Sequence, residues 1–331
     1  MAGYSRKNLE SGAANKFNLI GTTNHRVKQT MNQNDSLQNQ PEYENFLKSA
    51  LALKGSVTPK VMKKVSLTII YTSLVSYLCY LFPLAALPIG PFEYGGLIMG
   101  LILVFRVNAG YDRWWEARKL WGNVVNQCRN LAIILVNYTN HERQDWIFKI
   151  TNMISAMPYL MKDNLRELTD LQYLCHLIDI ENIQQLNASK HRPIVLASMM
   201  AQELQIARNN YGLDPFAFLH AQEQIEHIID AQGACERILK TPMPFVMAIK
   251  SRRFILFFLL MLPFALANVS LFVSPLIAGI VSYALFSLDQ IGIELQNPFS
   301  EKNLSHLPLD NICKTIDNNV KEIRRQIVVT S

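Results

Sequence analysis

The sequence predicts an all-α membrane protein in which two transmembrane helical hairpins, four spans in all, flank a cytosolic helical bundle. Three observations carry that reading. Two long blocks carry almost no charge, each is broken in its middle by turn-forming residues, and the polar stretch between them repeats its apolar residues at helical spacing. Composition agrees: of 331 residues 50% are hydrophobic and 18% charged, with a mean hydropathy of +0.09. That is too apolar for an ordinary cytosolic protein and too polar for membrane spans alone.

Residues 1–45 are polar and end in the low-complexity run QTMNQNDSLQNQ. They lack an apolar core of the signal-peptide kind, so a disordered cytosolic tail is expected. Residues 46–111 supply a short cytosolic helix and the first hairpin, with spans at about 61–82 and 91–111. No charge falls between residues 65 and 92, and after Glu93 the apolar run resumes to Phe105. The prolines Pro83, Pro88 and Pro91 break it in the middle. A span needs about 20 apolar residues, so the block is long enough for two and too long for one. Residues 250–293 repeat the arrangement: 254–288 is charge-free, and 268–275 holds the break.

Lys60, Lys63 and Lys64 precede the first span, Arg106, Arg113, Arg118 and Lys119 follow the second, and Lys250, Arg252 and Arg253 precede the third. Neither hairpin turn carries Lys or Arg. The positive-inside rule therefore places both termini and residues 112–249 in the cytoplasm, and residues 294–331 form a cytosolic end segment. In the middle domain Leu165, Leu168, Leu171 and Leu174, and again Ile225, Ile228 and Ile229 with Gln232, recur at helical spacing. Asp214-Pro215 reads as an N-cap followed by a first-turn proline.

The net charge of +6 and a pI near 9.0 suit nearby lipid headgroups or small anions. No basic run with interleaved aromatics points to nucleic acid. Five scattered cysteines, Cys79, Cys128, Cys175, Cys235 and Cys313, make neither a CxxC pair nor a disulfide frame.

Candidates for chemistry are few. His220, Glu223 and His227 lie at i, i+3 and i+7 and could share one helix face toward a metal, but the HExxH spacing is absent and a solvated polar stripe explains them as well. No phosphate-binding or nucleophile motif occurs, and no cofactor is expected. Glu93 is a lone carboxylate near a hairpin turn, either meeting water at the outer surface or standing at a pore mouth. Leu97, Leu101 and Phe105 recur every four residues on the second span. They form an apolar stripe for helix packing, for lipid, or, ringed by symmetry copies, for a hydrophobic constriction. Gly95, Gly96 and Gly100 on adjacent positions permit close approach of a neighbouring helix.

The run FRVNAGYDRWWEARKLWG, residues 105–122, holds three of the four tryptophans. Through Phe105, Arg106, Asn108, Tyr111, Arg113, Trp114, Trp115, Glu116, Arg118, Trp121 and Gly122 it resembles the signature of the bestrophin family, in its bacterial branch. Lys54-Gly55-Ser56, Asp214-Pro215-Phe216, Pro242-Met243-Pro244-Phe245 and Asn297-Pro298-Phe299 resemble further family motifs in order, so the likeness covers about residues 46–310. The resemblance implies a homopentameric ion channel of the inner membrane with a central pore. It places a hydrophobic neck on Leu97, Leu101 and Phe105 and a cytosolic aperture on Phe216. Animal members clasp calcium through an acidic cluster after Asn-Pro-Phe. Here that stretch reads SEKNLSH, with Lys302 and Ser305 where acids stand, and Glu294, Asn297 and Glu301 are the remaining oxygen donors, too few for a strong site. The expected ion is chloride, since Phe105 ring edges and free helix N-termini favour an anion. A sodium or potassium channel of the same fold, a membrane-anchored scaffold without conduction, and a membrane enzyme using His220, Glu223 and His227 are the alternatives. The charges Asp112, Arg113, Glu116 and Arg118 are expected to lock the second-span helix to neighbouring helices or subunits.

Overall fold

The structure is a computed structural model; it describes residues 46–330 apart from 54, 83–86, 140–142 and 268–269, and it leaves undescribed the side chains of residues 48, 49 and 326–330. The expected tail, the Lys54 motif position, Pro83 and Asn268 lie outside these residues. Two units are distinguished, Met1–Ser56 and Val57–Ser331. The first contributes one described helix, α1 (Phe46–Ala50).

In the second unit α2 (Thr58–Leu81) opens on Thr58-Pro59, where the missing proline N–H costs nothing. α3 (Gly90–Asn137) opens on Gly90-Pro91 for the same reason and runs unbroken for 48 residues. At 1.5 Å per residue that is about 70 Å, more than twice an apolar bilayer core. The helix thus passes through the expected membrane boundary at 111/112 without interruption. α4 (Gln144–Arg166) ends on Glu167 in the left-handed conformation, φ 57°. A 3-10 turn, Gln172–Leu174, leads to α5 (Ile180–Ala188) and α6 (Arg192–Asn210). α7 (Pro215–Lys240) starts where the sequence indicated: the Asp214 carboxylate accepts from the N–H groups of Phe216 at 2.9 Å and Ala217 at 3.0 Å. α8 (Phe245–Leu266), α9 (Val273–Glu294) and α10 (Leu309–Thr330) complete the chain. Among the described residues there is no strand.

Three of these helices, α2, α3 and α9, are long and apolar enough to cross a membrane. Four were expected. The exception is α8, whose first turns carry Lys250, Arg252 and Arg253. It is charge-free only over residues 254–266, short of the about 20 residues a span requires.

Two apolar cores divide the molecule. The smaller joins Met99 and Leu103 of α3 to Ile255, Leu259, Leu262 and Leu266 of α8 and to Ala278 and Leu285 of α9. Tyr71 donates to the Leu260 carbonyl at 3.0 Å, and the Leu87 N–H reaches the Phe264 carbonyl at 3.0 Å, tying the first hairpin to α8. Gly279 of α9 lets Ile69 approach so closely that an added Cβ would lie 3.0 Å from it. The larger core gathers the lower part of α3, from Ala117 to Val136, with α4, α6, α7 and α10. Trp121 lies at its centre, fully buried. α3 is the one element with residues in both cores.

A charged cluster fastens α10 to α4. Lys162 Nζ lies 2.9 Å from Asp310, Arg166 Nη1 donates to the same carboxylate at 2.8 Å, and Arg166 Nε reaches the Phe299 carbonyl at 3.1 Å. Burial works against the Asp310 carboxylate, but the hydrogen bonds from Lys162 and Arg166 outweigh it and hold its pKa at about 2.

Two outcomes follow from this packing. Trp121→Ala empties the centre of the large core and is expected to cost about 3–5 kcal/mol; an unchanged unfolding midpoint in detergent would refute the packing account. The folded Asp310 carboxylate titrates below its usual 3.8, so its stabilisation is complete above about pH 5 and drains away as the pH falls through about 2. Asp310→Asn is expected to lower the midpoint at pH 7, with the gap to wild type narrowing at pH 3. A gap equally wide at both pH values would rule out this origin.

Candidate functional site

α3 has two unlike faces. One is built into the fold: Met99, Leu103, Arg106, Gly110, Ala117 and Trp121 are all buried. The other is left bare. Leu97 is 74% exposed, Leu101 55% and Phe105 57%, and Glu93 one turn above and Tyr111 and Trp115 below are exposed on the same side. Apolar side chains this large and this regularly spaced, with so little cover from their own chain, mark a surface that something else must occupy. Gly95 and Gly96 sit beneath the Phe258 ring, with added Cβ atoms 3.7 and 3.5 Å from it, so these glycines do admit a neighbouring helix; Gly100 has nothing within 4 Å.

Immediately after Phe105 the helix turns Arg106 inward. Its guanidinium is buried and Nη1 pairs with Asp289 of α9, while Arg252 of α8 holds the other oxygen of the same carboxylate, Nε to Oδ2, at 3.4 Å. Gly292, one turn beyond Asp289, leaves room for the arginine stem, 3.5 Å from where a Cβ would stand. Sequence reading put Arg106 at the start of the cytosolic side, and in the fold its side chain is fully buried. Asp289 was not singled out, though a signal existed: it is the only charged residue between Arg253 and Glu294, and an isolated carboxylate in an apolar helix demands a partner.

Two turns further on, the signature residues grip the body of their own chain. Arg113 donates to the carbonyls of Ile238, Thr241 (2.6 Å) and Gln296 (3.3 Å), covering the C-terminal ends of α7 and α9 where a cation is favoured. Trp114 Nε1 donates to the Ser305 carbonyl at 2.7 Å, and Glu116 meets Arg237 at 2.9 Å. Tyr111, Trp114 and Trp115 stack with centroids 6.2–6.4 Å apart. Asn108, Asp112 and Arg118 are exposed.

Phe216 stands in the first turn of α7, 76% exposed, with Leu219 bare beside it. The three oxygen donors after α9 are engaged within the chain. Glu294 takes Lys60 Nζ at 2.6 Å, the Leu304 N–H at 2.7 Å and Gln290 at 2.8 Å. Asn297 Oδ1 takes the N–H groups of Phe299 and Ser300, and Glu301 pairs with Arg166. His220 Nδ1 lies 3.5 Å from Glu223, both exposed, and among the described residues no group of three or more His, Cys, Asp or Glu is gathered for a metal.

Comparisons with known proteins agree in direction. The family model described as Bacterial/Fungal Bestrophin protein matches residues 36–322. A voltage-dependent anion channel-forming protein of Nostoc sp. is 31% identical over 283 residues, covering 85% of this chain and 92% of that protein. The voltage-dependent anion channel-forming protein YneE of Escherichia coli K12 is 29% identical over 276 residues, covering 83% and 90%. Among solved structures, a bacterial bestrophin homolog from Klebsiella pneumoniae superposes with a TM-score of 0.74 at 26% identity, covering 80% of this chain and 98% of that one.

The contacts of Arg113 and Glu116 separate an anchor from an ornament. Arg113→Ala is expected to cost at least about 2 kcal/mol, because it strips a charged donor from three carbonyls. Glu116→Gln breaks a largely exposed pair and is expected to cost under about 1 kcal/mol. Thermal unfolding of the two solubilised variants checks this, and equal losses would contradict the assignment.

Proposed function

The chain belongs to the bacterial/fungal bestrophin family, and from that membership we propose that it is a homopentameric channel passing small monovalent ions, chloride above all, through the bare face of α3. The family is one of channels and not of enzymes, and the chain is no enzyme. The single observation that carries the reading is the exposed stripe Leu97, Leu101 and Phe105 on a helix otherwise locked into the fold. Copies arranged about an axis would cover that stripe and enclose a narrow apolar neck, which gates by excluding water rather than by a charged plug. Below it, Phe216 at the start of α7 forms the second, cytosolic aperture. Glu93 stands at the outer mouth. The Nostoc and Escherichia relatives, named as voltage-dependent anion channel-forming proteins, support an anion as cargo.

In this arrangement α8 is the fourth span. Its apolar end, residues 254–266, packs between α2, α3 and α9; Lys250 and Arg253 lie at the cytosolic interface, where long basic side chains reach toward headgroups, while Arg252 turns to Asp289. Both termini are then cytoplasmic in the inner membrane, and lipid covers Phe254, Leu256 and Phe257, which are exposed. Calcium has no open clasp to act on, since Glu294, Asn297 and Glu301 are each taken by the chain's own donors.

Purified protein in a planar bilayer under a KCl gradient tests the reading. Wild type is expected to conduct with a reversal potential toward the chloride equilibrium value, and Leu101→Ala to raise the current by widening the neck. A reversal toward the potassium value would decide for a cation channel. No current from wild type, with the oligomer intact by light scattering, would leave the scaffold reading.

A further inference from the structure

The neck stripe carries no charge, yet the turn that follows it does, and the charge there does not balance. Arg106 of α3 and Arg252 of α8 converge on one carboxylate, Asp289 of α9. Among the described residues Asp289 is the only acid paired with either guanidinium, so two positive charges meet one negative. Arg106 and Asp289 are buried, with side chains 1% and 7% exposed, and Nε and Nη2 of Arg106 have no hydrogen-bond partner among the described residues. Neither Lys64 nor Glu294 repairs the deficit. Lys64 lies over the Phe286 ring, 5.6 Å from its centre, and adds a further positive charge. Glu294 is neutralised by Lys60 at 2.6 Å.

We propose that Arg252 is a determinant of charge selectivity: held on Asp289 against buried Arg106, it leaves one net positive charge per subunit at the level just below Phe105. This rests on the channel reading above. Arg106 follows Phe105 directly, so their backbones differ by about 1.5 Å along the helix axis. The buried Arg106–Asp289 pair holds Arg252 in place, and the half-exposed Arg252 charge, partly screened by solvent, acts over about a Debye length, 8–10 Å. Symmetry copies add their fields at the axis, raising the local concentration of anions and lowering that of cations at the inner end of the neck. Arg252 rather than Arg106 sets the sign. The Arg106–Asp289 pair alone is neutral, and the half-exposed Arg252, at 51%, supplies the excess.

The test uses the full-length oligomer in planar bilayers under a KCl gradient. Arg252→Gln, with Arg252→Met as a second charge-removing variant, is expected to lower the chloride-to-potassium permeability ratio about threefold or more, from the Coulomb energy of one charge across a protein-like dielectric. Arg252→Lys is expected to keep the wild-type ratio. Wild-type elution on size exclusion establishes that assembly is retained. If both neutral variants conduct with an unchanged reversal potential while Leu101→Ala still alters the current, Arg252 plays no such part although the channel reading stands. If wild type conducts nothing, both fall together.

Discussion

The pairing of Arg106 with Asp289 determines how α3 sits. An arginine without a partner inside an apolar layer costs several kcal/mol, and breaking such a pair costs about 3–5 kcal/mol, because the remaining charge stays buried. The helix must therefore present Arg106 to α9, where Gly292 leaves room for its stem. Once that rotation is set, the 3.6-residue period decides everything else on the helix. Met99, Leu103 and Gly110 fall inward, and Leu97, Leu101 and Phe105 fall outward. The bare stripe is thus a consequence of the buried pair as much as of its own apolar character.

What the pair does for the upper half of α3, backbone carbonyls do for the lower half. Arg113 covers the ends of α7 and α9, Trp114 holds the Ser305 carbonyl, and Trp121 fills the large core. Because the helix is continuous from Gly90 to Asn137, its two anchored regions cannot rotate independently. A displacement of the large core is transmitted to the Leu97–Phe105 face without a loop to absorb it. In the proposed pentamer this makes α3 a rigid strut between the two apertures.

Much of this was legible in the sequence. The hairpin breaks, the Asp214 cap and the four-residue stripe all depend on local rules, and local rules are written in adjacent residues. The resemblance motif spans the part of α3 that carries Arg106 and Arg113, yet the contacts of its members were only partly readable. Arg113 acts on backbone carbonyls, which every residue possesses, so no side-chain pattern announces its partners. Arg106 and Asp289 are 183 positions apart, and only the folded chain brings them together. The expected boundary at 111/112 follows a change of composition, whereas helix hydrogen bonds ignore composition and carry α3 through it. The basic residues of α8, from which orientation was read, shorten the apolar length of the helix that bears them.

An apolar neck sets how hard it is for any ion to shed water, but leucine side chains cannot choose a sign. Phenylalanine edges favour anions only mildly. Fixed charge must therefore carry most of any selectivity, and two fixed charges flank the proposed neck on α3. Glu93 and Arg106 are separated by about 20 Å of helix, well beyond the screening length of about 8–10 Å in physiological salt, so they do not cancel. Glu93 is exposed and lies in the first turn, where the helix dipole already offsets a carboxylate. In the Arg106–Asp289–Arg252 cluster the buried pair is shielded from water, and the excess positive charge sits on half-exposed Arg252. In the proposed channel it is therefore the cluster, at the inner end of the neck where an ion has shed water, rather than Glu93 at the mouth, that would set the sign.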